Sequence, residues 1–475
     1  MENSYNGLFG ISTEELDKII SEALRAGGDW CDLFFEYSLN SDIALRDGAV
    51  NTARHDVDYG CGIRVLKGEK TGYAYSESTR YEDLLAAART AGSIATACPG
   101  IPSALKDAPV CTAKAKLDLY PMERDWAEVE TAELVPVLVK LEKLVKEKDS
   151  RAEKVRVSIS HNVRKIMMYN SLHELCCETR PTCDISVSVT FRQGNAIDSN
   201  RASRSLMAGA EMISEGLIEE LACEAVKGTD ERFEAKRPKG GQMSVVLAAG
   251  ASGILLHEAM GHAFEADFNR KGQSVFSDKM GGRICRKGIN IVDDGTVKAS
   301  RGACIYDDEG IPGQKTYMVT DGVLTSYLHD RISAAYYKLP PTGNGRRESF
   351  RYHPIPRMRT TYMESGTDGS LQDLIGSVKR GIYVDSFTNG EVKIGEGDFT
   401  FFVKSGFLIE NGRLTMPVKD INVIGNGPQA LADIEAVASD LKIDGGTWTC
   451  GKGQSVQVSC GMPSVLVSKL TIGGE

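Results

Sequence analysis

The stretch AKRPKGGQ, residues 235–242, constrains the fold most, because the chain is written in different patterns on its two sides. Proline and paired glycine break regular structure and the flanking charges favour solvent, so this is the linker candidate. At 475 residues the chain also exceeds what one hydrophobic core usually supports. The expected architecture is α+β with two domains. Residues 1–235 form an N-terminal α/β domain of helices and antiparallel strands, and residues 236–475 a β-rich C-terminal domain.

Within the first half, STEELDKIISEALRAGG opens with Ser12 and Glu15 as a capping box and places Leu16, Ile19, Ile20 and Ala23 on one face before stopping at Gly27-Gly28. Strand-like runs CDLFFEY, GCGIRVLKG and TGYAYS come next, then a helix from Thr79 to Ala97 with Glu82 completing a second capping box. After a proline-containing passage from Cys98 to Pro121 the same order returns. It comprises a helix around 126–148, the strands KVRVSIS and DISVSVTFRQ, and a helix from about Ala208 to Val226. The order of elements repeats; the residues do not.

Beyond the linker, MSVVLAAG reads as a buried strand, and the remainder of the chain is mostly short strands between turns such as DDG, DEGIPG, TDG and IGNG. Many of the 49 glycines fall in this half. One helix stands out there, and it carries ILLHEAMGHAFEAD, residues 254–267. In H-E-x-x-H two histidines four apart share a helix face and a metal ion. Here His257 and His262 are five apart. On a regular helix that offset leaves the second imidazole about 140° round from the first. A single extra residue entering as a π-type bulge restores facing positions, and Gly261 would ease it, so a kinked metal-binding helix is expected. The bland alternative makes His257 a core histidine and His262 a cap.

A catalytic zinc site usually takes three protein ligands and leaves a fourth position for water. Glu265, Asp267, His329, His353 and the cysteines, among them Cys450 in the glycine-rich turn GGTWTCGKGQSVQV, are all candidates for the third, and spacing does not choose Cys450 over His329.

HEAMGHAFEAD, taken with YDDEGIPGQ, GNGRRESFRYHPIPRMRTTYM and the terminal CGKGQSVQV and TIGG, closely resembles the TldD/PmbA family of zinc metallopeptidases, whose members are also labelled modulators of DNA gyrase. The likeness runs from the N-terminal helix to the last residues. It is to the TldD-type branch, which carries H-E-x-x-x-H, rather than to the PmbA (TldE) branch, which lacks the metal site. The resemblance implies Zn²⁺ held by His257, His262 and Cys450, with Glu258 as the catalytic base. It also implies dimers enclosing a shielded cavity that admits unfolded peptides, either homodimers or heterodimers with a TldE/PmbA-like subunit. Two imidazoles and a thiolate suit zinc, and Glu258 comes directly after the first ligand, where it can take a proton from water attacking a peptide carbonyl. The alternative is a metal-stabilised regulatory or assembly subunit without turnover.

Residues 344–362 hold five arginines and one acid with aromatic residues between them, a pattern that can grip single-stranded nucleic acid. The net charge of −9 argues against nucleic acid and anionic membranes as partners. Asn344, Arg346 and Tyr362 are better read as holding a peptide's carbonyls or carboxylate. No phosphate-binding loop or nucleophile elbow occurs. With no apolar run near 18 residues, no secretory signal at the N-terminus and twelve cysteines in no scaffold spacing, a cytoplasmic protein with reduced thiols is expected.

Overall fold

A computed structural model of the chain describes residues 2–97, 118–250, 252–393 and 395–474. Most of the passage between Cys98 and Pro121 lies outside them. The first expected helix runs Thr13–Leu24, with Ser12 and Glu15 exchanging both bonds of the capping box and Leu16, Ile19, Ile20 and Ala23 buried. The second box does not form. That helix is Tyr81–Thr96 with Arg80 as its uncapped N-terminus, because the Thr79 hydroxyl donates to the Phe9 carbonyl at 2.7 Å instead. A tertiary acceptor has outcompeted the local one. The two later helices start after the positions expected, at Thr131–Lys148 and Glu215–Val226, each preceded by a 3₁₀ turn.

The strands of this half are β1 (Trp30–Arg46), β2 (Ala49–Lys67), β3 (Lys70–Ser76), β4 (Ala152–Asn170), β5 (Leu175–Gln193) and β6 (Ala196–Leu206). They make one antiparallel sheet in the order β3-β2-β1-β4-β5-β6. The two groups of three strands therefore join through β1 and β4, which is what the repeated element order becomes in space. Side chains alternate across a strand. Leu33, Phe35, Ile63 and Val65 face helices 13–24 and 81–96, and Val157, Ile159, Ile185 and Val187 face helices 131–148 and 215–226.

The opposite face carries charge, and it is buried against the second half of the chain. Arg64 on β2 bonds Asp32 on β1 at 2.7 Å and reaches Glu309 at 2.7 Å. Arg180 on β5 pairs with Asp308 at 2.6 Å, and Glu36 accepts from the Phe350 amide at 2.8 Å. Phe350 itself packs among Phe34, Ile166 and Met168.

Past the linker, β7 (Gly241–Leu247) enters a sheet with strands Arg380–Lys393, Val465–Gly473, Asn422–Asn426 and Asp398–Glu410. The first and last of these also pair, so the five strands close on themselves. A second sheet includes Ile291–Asp294, Thr360–Met363 and Ser459–Met462. The half holds further helices at Arg331–Tyr337, Leu371–Ser377 and Gly427–Ala432, which the turn-rich pattern concealed because each is two turns or shorter. No helix among the described residues is long and apolar enough to cross a membrane.

Breaking a buried ion pair by removing one partner leaves an uncompensated charge, at a cost of about 3–5 kcal/mol. Arg64→Ala leaves Glu309 without its arginine and Asp32 with Arg347 at 3.3 Å as its remaining cation, and is expected to lower the thermal unfolding midpoint markedly. An unchanged midpoint would show that the charged interface does not hold the halves together.

Candidate metal centre

Strand β7 delivers the chain to the helix Gly253–Ala259. This helix begins directly on the strand Ser459–Met462: a Cβ at Gly253 would stand 2.6 Å from the Gly461 amide nitrogen. The helix ends one residue past His257-Glu258. Met260 leaves helical geometry at φ −133°, and Gly261–Phe264 forms a separate 3₁₀ turn carrying His262. The five-residue offset is thus absorbed by a break between two short helical pieces, where a π-type bulge in one continuous helix was expected. Gly261 contributes space: a Cβ there would lie 2.2 Å from the Met358 sulfur. The two imidazoles end with ring centroids 5.3 Å apart at 77°.

Cys450 arrives from the other end of the half, on a small hairpin of Thr449–Gly451 with Ser455–Gln457. Its sulfur lies 3.2 Å from His262 Nε2, and the ligating atoms of His257, His262 and Cys450 all fall within 4.8 Å of one another. All three residues are buried. Both ring nitrogens of His257 are buried without a hydrogen-bond partner. An unsatisfied buried polar atom costs about 1–3 kcal/mol, so an imidazole held this way suits a metal that takes up its lone pair. Two nitrogens and a sulfur match the ligand set of zinc.

The electrostatics agree. Burial pushes the Cys450 thiol up, yet the neighbouring His257 and His262 bring it down to about 5. Burial presses His262 down, while Glu265 and Cys450 carry it up to about 9. The neighbouring imidazoles thus favour the thiolate form of Cys450, which is the form that ligates a metal.

Of the other candidate ligands, the structure brings Glu265 to the cluster in a different role. Its Oε2 shares a 2.9 Å hydrogen bond with His262 Nδ1 and stands 3.0 Å from Lys452 Nζ. A carboxylate on the far nitrogen fixes the ring and leaves Nε2 facing the site. Arg357 donates to the Cys450 and Gln454 carbonyls at 2.7 and 2.8 Å, which clamps the hairpin. Sequence reasoning weighed Glu265 only as a ligand and missed Arg357 and Lys452; the spacing of Glu265, three residues past His262, was the available signal. Asp267 pairs with Lys452. His329 lies among Tyr327 and Tyr337, and His353 against Tyr73.

Glu258, half-buried, points a carboxylate oxygen to within 3.9 Å of His262 Nε2. With His257 and Cys450 it lines a cavity of about 190 Å³. Asn344, Arg346 and Tyr362 are not brought to that cavity. Asn344 donates to the Arg357 carbonyl at 3.0 Å, Arg346 to the Met358 and Gln457 carbonyls at 2.5 and 2.7 Å, and Tyr362 to Asp294 at 3.1 Å. These bonds tie the three side chains to neighbouring strands and turns of the C-terminal half. The same holds for Arg347, Arg357 and Arg359, whose guanidinium groups meet buried carbonyls.

A mixed helix and strand chain of several domains, with a buried His-His-Cys cluster beside a glutamate, has the make-up of a metallopeptidase. Comparison with known proteins agrees. Models of the PmbA/TldA metallopeptidase domain 1, central domain and C-terminal domain match residues 31–95, 124–232 and 240–474. A metalloprotease TldD homolog from Haemophilus influenzae is 34% identical, covering 98% of this chain and 97% of that one. A zinc metalloprotease TldD homolog from Saccharolobus solfataricus is 37% identical over 51% of this chain and 54% of its own. TldE from Thermococcus kodakarensis shares the fold, with a TM-score of 0.76 at 19% identity over 97% of this chain and all of that one. The chain belongs to the PmbA/TldD family of metallopeptidases.

Outer partners of metal-bound histidines typically contribute 10- to 100-fold to metal affinity. Glu265→Gln is expected to weaken zinc binding by that order in a chelator competition. Unchanged affinity would remove Glu265 from the site.

Proposed function

We propose that this protein is a zinc-dependent peptidase that cleaves unfolded or unstructured polypeptides, with His257, His262 and Cys450 as metal ligands and Glu258 as general base. The observation that carries the reading is the convergence of those three ligand atoms within 4.8 Å, with Glu258 on the wall of the same cavity. A bound Zn²⁺ supplies Lewis acidity there, making water acidic near neutral pH and polarising a carbonyl. The chain's own residues do the rest. Glu265 holds the His262 ring, Arg357 holds the Cys450 hairpin, and Glu258 takes the proton of the attacking water and returns it to the departing amine nitrogen.

The reading extends to organisation. Residues 1–235 and 236–475 act as the two domains, a division supported by the single sheet β1–β6 before the linker and the strand closure after it. The kinked metal-binding segment is the pair of helical pieces around Met260. The active form is a cytoplasmic dimer whose shielded cavity encloses the substrate, paired with a second copy or a TldE/PmbA-like subunit; the likeness to a TldE structure supports such a partnership. An extended peptide adds to a sheet edge, which reads backbone more than side chains and tolerates many sequences.

Elemental analysis is expected to find about one zinc per chain, mostly lost in Cys450→Ser, because removing one of three ligands weakens binding severely. Glu258→Gln is expected to retain zinc while peptide cleavage falls by roughly 10²- to 10⁴-fold, the usual worth of a positioned general base. Full zinc with no cleavage in the unmutated chain, even with its partner present, would favour a regulatory subunit without turnover.

A further inference from the structure

The cavity beside the cluster has a chemistry of its own. Apart from His257, Glu258, Cys450 and the two threonines Thr388 and Thr449, its walls are apolar: Ile254, Phe387, Phe401, Trp448 and Val458. Among the described residues, Glu258 brings the one carboxylate to its lining. At about 190 Å³ it is smaller than the 300–1,000 Å³ typical of whole-ligand pockets. It is comparable to the roughly 150 Å³ apolar cavity that takes a benzene-sized guest.

The walls are held in place. Trp448 donates its indole N–H to Asp444 at 2.6 Å, while its backbone carbonyl accepts from Arg301 at 2.5 Å. Phe387 and Phe401 pack at 5.4 Å between centroids. Gly390 keeps the Phe401 ring against its own strand pair, since a Cβ there would stand 2.3 Å from that ring. Phe387, Thr388 and Trp448 also line a larger groove of about 1410 Å³, which runs between β6 and the strands Arg380–Lys393 and Asp398–Glu410. The cavity therefore adjoins the groove through these shared residues, with His257, Glu258 and Cys450 on its own wall.

We propose that this cavity seats one apolar side chain of the peptide, belonging to a residue that flanks the cleaved bond, so that medium-sized apolar residues such as Leu and Phe are preferred at that one position. The inference rests on the peptidase reading for the words "cleaved bond", and on the cavity alone for the apolar side chain. Tolerance along the rest of the substrate is unaffected, because the remaining contacts are to backbone. Acidic side chains are disfavoured there by the Glu258 carboxylate, and basic ones lose their water against Phe387, Phe401 and Trp448.

The test uses full-length Glu258→Gln protein with zinc added, so that the probes stay intact. Its tryptophan fluorescence is titrated with acetyl-Gly-Leu-amide, acetyl-Gly-Phe-amide and acetyl-Gly-Gly-amide. Trp30 and Trp126 are buried in the first half, which leaves Trp448 as the reporter. Burying a Leu or Phe side chain is worth about 10- to 100-fold in affinity. The Leu and Phe probes are expected to bind at least 10-fold more tightly than the Gly-Gly probe. Thr388→Phe, at the exposed rim, is expected to fill the cavity and erase the difference with zinc content unchanged, and Trp448→Phe to abolish the signal. Equal binding of the three probes, or no binding of any, overturns the proposal. A digest of an unfolded protein by the unmutated chain separates the two readings. Cleavage with no apolar enrichment at either flanking position sinks the pocket and keeps the peptidase; probe discrimination without cleavage does the reverse.

Discussion

The site depends on one buried carboxylate. Glu265 stands fully buried between the His262 ring at 2.9 Å and Lys452 at 3.0 Å, with Arg357 at 3.8 Å. Burial pushes its acid up, yet Lys452 and His262 bring it down to about 2. It is therefore ionised at any pH at which the histidines could bind metal. Through Lys452 and Arg357 that one charge reaches both sides of the hairpin that presents Cys450. The thiolate and the second imidazole are consequently located by a common anchor, although 188 residues separate them in the chain.

A second set of buried charges does a related job on a larger scale. The N-terminal sheet hides its apolar face under helices and turns a charged face to the other half. Arg64, Arg180 and Arg347 meet the acids Asp32, Asp308 and Glu309 there. Ionic contacts of this kind contribute little net stability compared with an apolar interface of the same volume. They do demand one registration, because a slip of a single residue would bring like charges together or strand an ion without a partner. The segment YDDEGIPGQ, which supplies Asp308 and Glu309, is thereby fixed, and residues 344–362, the strand neighbours of the site, are fixed in turn through Arg347.

The range of the forces involved decides how much of this is legible in the sequence. Local signals are legible: the Ser12–Glu15 box, the buried face of its helix and the strands stand where periodicity and turn chemistry put them. Thr79 misleads because its partner, Phe9, lies 70 residues away. The cluster of arginines after Asn344 has the look of a surface, since charge runs usually are. Arg351 apart, it is an interior, because each of the other four guanidinium groups finds a carbonyl that only the folded chain supplies. His257, Glu258 and His262 can be singled out from spacing, whereas Cys450 needs the family resemblance. The orienting contact of Glu265 is a property of the 3₁₀ turn after the helix break, and no periodic pattern encodes that break.

The break itself changes what holds the site together. Where two histidines are four apart on one continuous helix, the helix alone presents both to a metal. Here the helix stops at Ala259, and His262 rides on a separate turn whose placement is set by Met358 against Gly261 and by Glu265. The first piece in turn rests on Gly461. Orientation has passed from backbone geometry to contacts with strands 355–363 and 449–462. The three ligands therefore share no local nucleus: the cluster exists only once the whole second half has folded. Since binding energy at a site that is absent from the unfolded chain is folding energy, a metal held by these three residues would stabilise the C-terminal half as a whole.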